Sequence, residues 1–349
     1  MIQSIFWDSY LAADVQSANL KQRLCACEAA FADHKSNIAK LIQQQNPTSV
    51  AILGAGYLND IPLDDLVHGD RKVYLVDWID DVSKVGVSNK ILCTTDEGNT
   101  SCLFCSEKDP KSFCTNYTGE LLSDGLCTGY EPLSQPLDTC KNYEPGTNPR
   151  FLKADITGGV AVNFSKDMEK AIRNCKTAKQ AFKKAIHIAE NARFSAMDIE
   201  SDSIDLVTSS MIISQFDAEP YNYFATLLEQ QFDTAEIQKH QKTLIPLMEQ
   251  LRTKLFTQQV ESHVKEIYRI LKKNGQAKAY LSAELFRSCS DQQFFLVQDM
   301  PKALEIIGQY FFFELGDQLE TETLSKSNLG NGTSVNQCYV LSPKDAKYL

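Results

Sequence analysis

The chain has 349 residues, 43% of them hydrophobic and 23% charged, which is enough apolar material for a substantial core and excludes a disordered chain. A formal net charge of -10 offers no long-range attraction to phosphate backbones, so bulk nucleic acid is not an expected partner. The first residues lack a basic segment leading into an apolar one, and no run of about eighteen apolar residues occurs anywhere. These features lead us to expect a cytoplasmic protein without a membrane partner.

Residues 1–47 place Ile5, Leu11, Val15, Leu20, Leu24, Phe31, Ile38 and Leu41 near helical spacing and contain no Gly, so they read as an N-terminal helical segment. Val50 to Leu53 is a short apolar run that ends at Gly54-Ala-Gly56, as a buried parallel strand entering a tight turn would. Ile61 to Val67 has the length and spacing of one helix, and Val73 to Val76 repeats the strand pattern and ends at Asp77. Together they make a βαβ unit. Residues 91–149 break this rhythm and are rich in Cys, Gly, Pro, Asn, Thr and acidic side chains, which reads as an irregular Cys-rich insertion into a domain formed by 48–90 and 150–349.

The rhythm returns at Phe151 to Asp155, followed by an apolar stripe through Met168, Ile172, Cys175, Phe182, Ile186 and Ala189 that fits one long helix. Ile204 to Thr208 is the next strand. Two helical stretches follow, broken near Pro246, and the second ends at Lys272-Lys-Asn-Gly275. Ala277 to Leu281, Phe311 to Leu315 and Val335 to Leu341 are further strands, with a helix from Pro301 to Tyr310; the last two strands, with no helix between them, suggest an edge hairpin. The expected fold is α/β: a doubly wound, mainly parallel, seven-stranded Rossmann-like sheet.

Gly54 and Gly56 follow a strand and precede a helix, where missing side chains let backbone approach a ligand near the positive helix end. Asp77 ends the second strand 21 residues after Gly56, where a carboxylate can accept both hydroxyls of an adenosine ribose. A nucleoside cofactor is therefore expected. The third glycine of a dinucleotide fingerprint is Asn59 here, which removes the close helix–strand packing beneath a pyrophosphate.

Five segments, in order, resemble class I S-adenosylmethionine-dependent methyltransferases. Val50-Ala-Ile-Leu-Gly-Ala-Gly56 resembles their first motif, although the acidic residue often found before the first glycine is Leu53. Leu75-Val-Asp77-Trp78 resembles the second, Lys153-Ala-Asp155-Ile156 the third, Ser203 to Met211 the fourth, and Tyr268 to Gly275 the helix and turn before the fifth strand. The resemblance implies S-adenosylmethionine as cofactor, with Gly54, Gly56 and Tyr57 in the turn, Asp77 on the ribose, Trp78 against adenine, Asp155 and Ile156 near the adenine amino group, and Ser209, Ser210 and Met211 lining the methyl-transfer pocket. The acceptor would be a small molecule or a protein side chain. Asp217 or Tyr221, just beyond the fourth strand, could serve as base, and a helix cap or surface packing is the alternative for each. A nicotinamide-dependent oxidoreductase using the same turn stays open, as does a cofactor-binding regulatory protein.

Six of the eleven cysteines, Cys93, Cys102, Cys105, Cys114, Cys127 and Cys140, fall in the insertion, three of them at a regular 13-residue spacing and two as Cys102-Leu-Phe-Cys105. Thiolates so placed can hold zinc or an iron–sulfur cluster, which would help order a segment poor in apolar side chains. Disulfides and free thiols are the alternatives. The histidines show no metal-ligand spacing and read as surface or packed helix residues, and no Ser-His-Asp or Cys-His arrangement is visible from spacing.

Overall fold

A computed structural model describes residues 31–55, 58, 60–67, 71–78, 95–96, 99–100, 120–121, 127–128, 149–289, 292–295, 299–323 and 332–345. The chain divides into two compact bodies: residues 15–154 with 204–208, and residues 1–14 with 155–203 and 209–349.

The first body begins with α1 (Ala32–Gln45), which buries Ile38, Leu41 and Ile42 and stops at Asn46 in the left-handed region. Then come β1 (Ser49–Leu53), the short helix α2 (Leu63–Val67), β2 (Lys72–Asp77) and β3 (Arg150–Lys153), joined from later in the chain by β4 (Leu206–Ser209), whose last residue, Ser209, belongs to the second body. The strands are parallel, in the order β3-β2-β1-β4. All five residues of β1 and four of the six in β2 are buried, which explains their continuous apolar sequence: a parallel strand covered on both faces has no polar side to show. β1 lies between β2 and β4, so the chain progresses outward from it in both directions. That arrangement is Rossmann-like and places a switch point at the carboxyl end of β1.

At the opposite, amino ends of the same strands, Asp205 fixes β4 against β1. Its Oδ2 accepts from Thr48 N–H (3.0 Å), Thr48 Oγ1 (2.7 Å), Ser49 N–H (3.1 Å) and Ser49 Oγ (3.0 Å).

The second body contains α3 (Val160–Ile172), α4 (Ala178–Glu190), α5 (Ala218–Gln231), α6 (Thr234–Lys239), α7 (Gln241–Ile270) and α8 (Met300–Tyr310). Its strands are β5 (Lys278–Cys289), β6 (Gln292–Phe295), β7 (Phe311–Thr323) and β8 (Gly332–Pro343). Every pairing among these four is antiparallel: β8 lies between β5 and β7, and β6 pairs with β5. The α/β class and the final hairpin therefore agree with expectation, while the strands are mixed in direction, and the last one inserts beside β5.

The single long helix expected from Met168 to Ala189 is two helices. Thr177 takes extended backbone and its hydroxyl caps α4 by accepting from Gln180 N–H at 3.2 Å, so the apolar stripe is carried by two amphipathic pieces that share one core with Phe224, Leu251 and Leu255. The break expected at Pro246 is also displaced. Pro246 sits inside α7, near its start, and the interruptions fall at Phe232-Asp233, where the Asp233 side chain accepts from Ala235 N–H at 2.7 Å, and at His240. The basic stop after α7 appears as expected, with Lys273 Nζ donating to Leu271 O at 2.6 Å and to Tyr268 O.

Within 91–149 only four two-residue strands are described, pairing 95–96 with 99–100 and 120–121 with 127–128. Apart from the backbone of Cys127, the six cysteines of the insertion lie outside the described residues, as do residues 1–30 of the expected N-terminal helical segment.

Candidate functional site

In the first body, Gly54 leaves β1 with φ of 69° and passes its N–H to Val76 O at 2.8 Å; Ala55 N–H reaches the same carbonyl at 3.1 Å. The turn is thus hooked onto β2 one residue before Asp77. Fully buried Leu58, at φ of 59°, closes it by donating N–H to Ala55 O at 2.9 Å. A non-glycine residue held in the left-handed region stores strain that persists only where the surroundings fix it. Asp77 and Trp78 follow at the carboxyl end of β2, both half-buried. The Asp77 carbonyl accepts from Ala154 N–H at 3.0 Å, and Lys153 Nζ lies 6.0 Å from the Trp78 ring centroid. Gly56 and Tyr57 lie outside the described residues.

In the second body, the turn after β3 is a tight knot. Asp155 Oδ1 accepts from Thr157 N–H (2.9 Å) and Thr157 Oγ1 (2.6 Å), and Oδ2 from Val162 N–H at 3.1 Å. The carboxylate therefore caps the start of α3, which gives Asp155 an observed structural role beside the adenine contact expected of it. Burial raises its pKa, and the bonds to Thr157 and Val162 oppose the rise. Gly158 and Gly159, both at positive φ, let this turn press on its neighbours: a Cβ at Gly158 would stand 2.1 Å from Ser262 Oγ.

After β4 the chain is tightly held. Ser209 is fully buried, and Ser210 Oγ lies 3.0 Å from Ser282 Oγ. Met211 N–H donates to Ser282 O (3.0 Å) and Oγ (2.9 Å), while its own carbonyl accepts from Gln215 Nε2 at 3.1 Å. These bonds hold Met211 at φ of 56°, a second strained non-glycine position.

Asp217 and Tyr221 come together with a residue that spacing did not reveal. Asp217 stands at φ of 69° immediately before α5, where a cap would sit, but its side chain makes no cap bond. Instead its buried Oδ2 accepts from Arg252 Nε at 2.8 Å, and the Arg252 guanidinium lies 5.5 Å from the centroid of the Tyr221 ring. Burial pushes the Asp217 pKa up to about 6 in spite of Arg252. Burial also raises Tyr221.

The second residue missed from sequence is His263 on α7. It is fully buried, with Nε2 at 2.8 Å from Ser209 Oγ and Nδ1 at 2.7 Å from Ile156 O. Burial drives its pKa down to about 4. The expectation of a packed helix histidine holds; the Ser-His pair across 54 positions had no spacing signal. Among the described residues, no group of three or more His, Cys, Asp or Glu side chains could hold a metal, and no helix is long and apolar enough to cross a membrane.

No protein-family profile matches this sequence, and no curated protein matches it. Among solved structures, the chain is similar to the PH0226 protein from Pyrococcus horikoshii OT3, at 10% identity and a TM-score of 0.36, over 95% of this chain and 94% of that one.

Proposed function

We propose that this chain is an S-adenosylmethionine-dependent methyltransferase whose cofactor is held at the carboxyl ends of β1 and β2. The observation that carries the reading is the glycine turn of β1 hooked through Gly54 and Ala55 onto Val76, which fixes it beside the half-buried carboxylate of Asp77 at the strand switch point. A carboxylate fixed there can accept two ribose hydroxyls, and a glycine leaves room for the nucleoside to approach. Asp155, Ile156, Ser209, Ser210 and Met211 enter the proposal through the sequence resemblance.

The sulfonium cofactor supplies an electrophilic methyl group. What the chain must add is alignment of the acceptor, exclusion of water and a destination for the acceptor's proton. Asp217 is suited to the last task, because a buried carboxylate titrating near 6 is ionised at neutral pH yet basic enough to take a proton. Arg252 keeps that carboxylate oriented through Nε. Tyr221, under the guanidinium, is the other candidate group at this cluster. The acceptor is a small molecule or a protein side chain.

Calorimetric titration with S-adenosylmethionine, S-adenosylhomocysteine, NAD and NADP tests the reading. Micromolar binding of the first two alone is expected; preferential binding of NAD or NADP would replace it with an oxidoreductase. The six insertion cysteines are proposed to hold zinc or an iron–sulfur cluster. Elemental analysis and the visible spectrum of anaerobically purified protein should then show stoichiometric metal, and its absence would overturn that part.

A further inference from the structure

The geometry points to His263 as a positioning residue for the cofactor: from α7, its two ring nitrogens hold the end of β4 and the turn after β3 in one fixed register. This rests on the reading that the chain binds S-adenosylmethionine, because Ser209 and Ile156 are positions which that reading assigns to the cofactor.

The protonation pattern follows from the partners. The Ile156 carbonyl can only accept, so Nδ1 carries a hydrogen and donates to it at 2.7 Å. In the neutral ring Nε2 is then the acceptor, and the Ser209 hydroxyl donates to it at 2.8 Å. Both nitrogens are satisfied in a fully buried side chain, and the Phe216 ring packs against the imidazole in a T-shaped contact with centroids 5.2 Å apart. Burial disfavours the imidazolium strongly enough to keep the ring neutral at physiological pH. Among the described residues, the one charged group that acts on it is Glu266, on its own helix. Glu266 is already engaged by Arg269 Nη2 (2.6 Å) and Nε (2.8 Å) and by Met197 N–H (2.7 Å).

What the ring joins are two segments that have little freedom of their own. On one side, Ser209 leads directly into Met211, whose left-handed backbone is kept by Ser282. On the other, Ile156 sits between the Asp155 cap and Gly158, and Gly158 approaches Ser262, the residue before His263, so closely that a Cβ there would force the Ser262 and Phe194 side chains to move. The turn therefore meets α7 at two consecutive residues, once by contact and once by hydrogen bond. Loss of the ring would release the Ile156 carbonyl and the Ser209 hydroxyl together, leaving a buried hydroxyl and a half-buried carbonyl without this partner.

Four variants test this: Ser209→Ala removes one donor, His263→Gln keeps an acceptor for Ser209, His263→Asn keeps a donor for Ile156, and His263→Phe removes both. S-adenosylhomocysteine affinity is measured by calorimetry for each, with melting temperature as the folding control. We expect His263→Phe to weaken binding by about 10- to 100-fold, the equivalent of about 1.4–2.8 kcal/mol. His263→Gln and His263→Asn should each recover part of it, and the Ser209→Ala, His263→Phe double variant should be no weaker than His263→Phe alone. Should His263→Phe not fold, Ser209→Ala carries the test, with several-fold weaker binding expected. A parent that binds while Ser209→Ala and every folded His263 variant stay within twofold of it would overturn the positioning role alone. A parent without affinity would overturn that role and the methyltransferase reading together.

Discussion

At the amino end of β4, Asp205 places one carboxylate oxygen among four donors from Thr48 and Ser49. In the segment after the same strand, Asp217 is more deeply buried, yet the structure gives its carboxylate one cationic partner, Arg252, and its pKa rises to about 6. The contrast separates two uses of an acidic residue. Donors converging on Asp205 stabilise the strand pairing. Asp217 instead occupies a strained backbone position with its charge incompletely compensated, an arrangement that costs stability and that functional groups characteristically show.

Asp205→Ala should have the largest effect. Hydrogen bonds to a charged group are each worth about 1.5–3 kcal/mol and several are lost together, so a destabilisation of about 3–5 kcal/mol is expected in urea unfolding. A loss under about 1 kcal/mol would remove the distinction between the two aspartates.

Asp217→Asn should do the reverse at neutral pH. With its folded pKa raised, the Asp217 carboxyl contributes stability that is fully present below its unfolded value of 3.8 and lost as pH rises through about 6. Asparagine imitates the protonated form and tolerates the left-handed backbone, so the variant should exceed the parent by up to about 3 kcal/mol at pH 7 and match it below pH 4. Equal stability at both pH values would mean that Arg252 fully compensates the charge.

His263 has a pH slope of the opposite sign. Its folded pKa is depressed from 6.5 to about 4, so the unfolded chain binds the proton first and stability rises with pH across that window, by about 3 kcal/mol. In the parent the two groups offset one another between pH 4 and 6. Asp217→Asn should expose the rise, and His263→Phe should expose the fall, in urea midpoints measured across that range. The smallest effect belongs to a site outside both clusters: Thr177→Ala should cost about 1 kcal/mol through the lost α4 cap, with cofactor affinity unchanged.

Among the described residues of the first body, β1 and β2 were legible from sequence because buried parallel strands are continuous apolar runs. Val50–Leu53 and Val73–Val76 announced β1 and β2, and the residues ending them, Gly54 and Asp77, marked the carboxyl edge. The second body was less legible. The stripe through Met168 and Ala189 could not show the break that Thr177 makes, since both helices pack on one core. β7 is long and mostly exposed, with Phe312, Phe313 and Leu315 open to solvent, so its apolar residues mark only part of its length. The place of Asp217 and Tyr221 just after β4 is readable from the sequence, whereas Arg252 and His263 give no spacing signal because each meets its partner through tertiary packing, 35 and 54 positions away.

If Asp77 holds the ribose of S-adenosylmethionine, as we propose, calorimetric comparison of the parent with Asp77→Ala should show the loss of that contact. Each charge-assisted bond lost is worth about 1.5–3 kcal/mol, less any replacement by water, so affinity for S-adenosylhomocysteine should fall at least about tenfold with the melting temperature of the free protein little changed. Unchanged affinity in a folded Asp77→Ala protein would rule out Asp77 as the ribose-binding group.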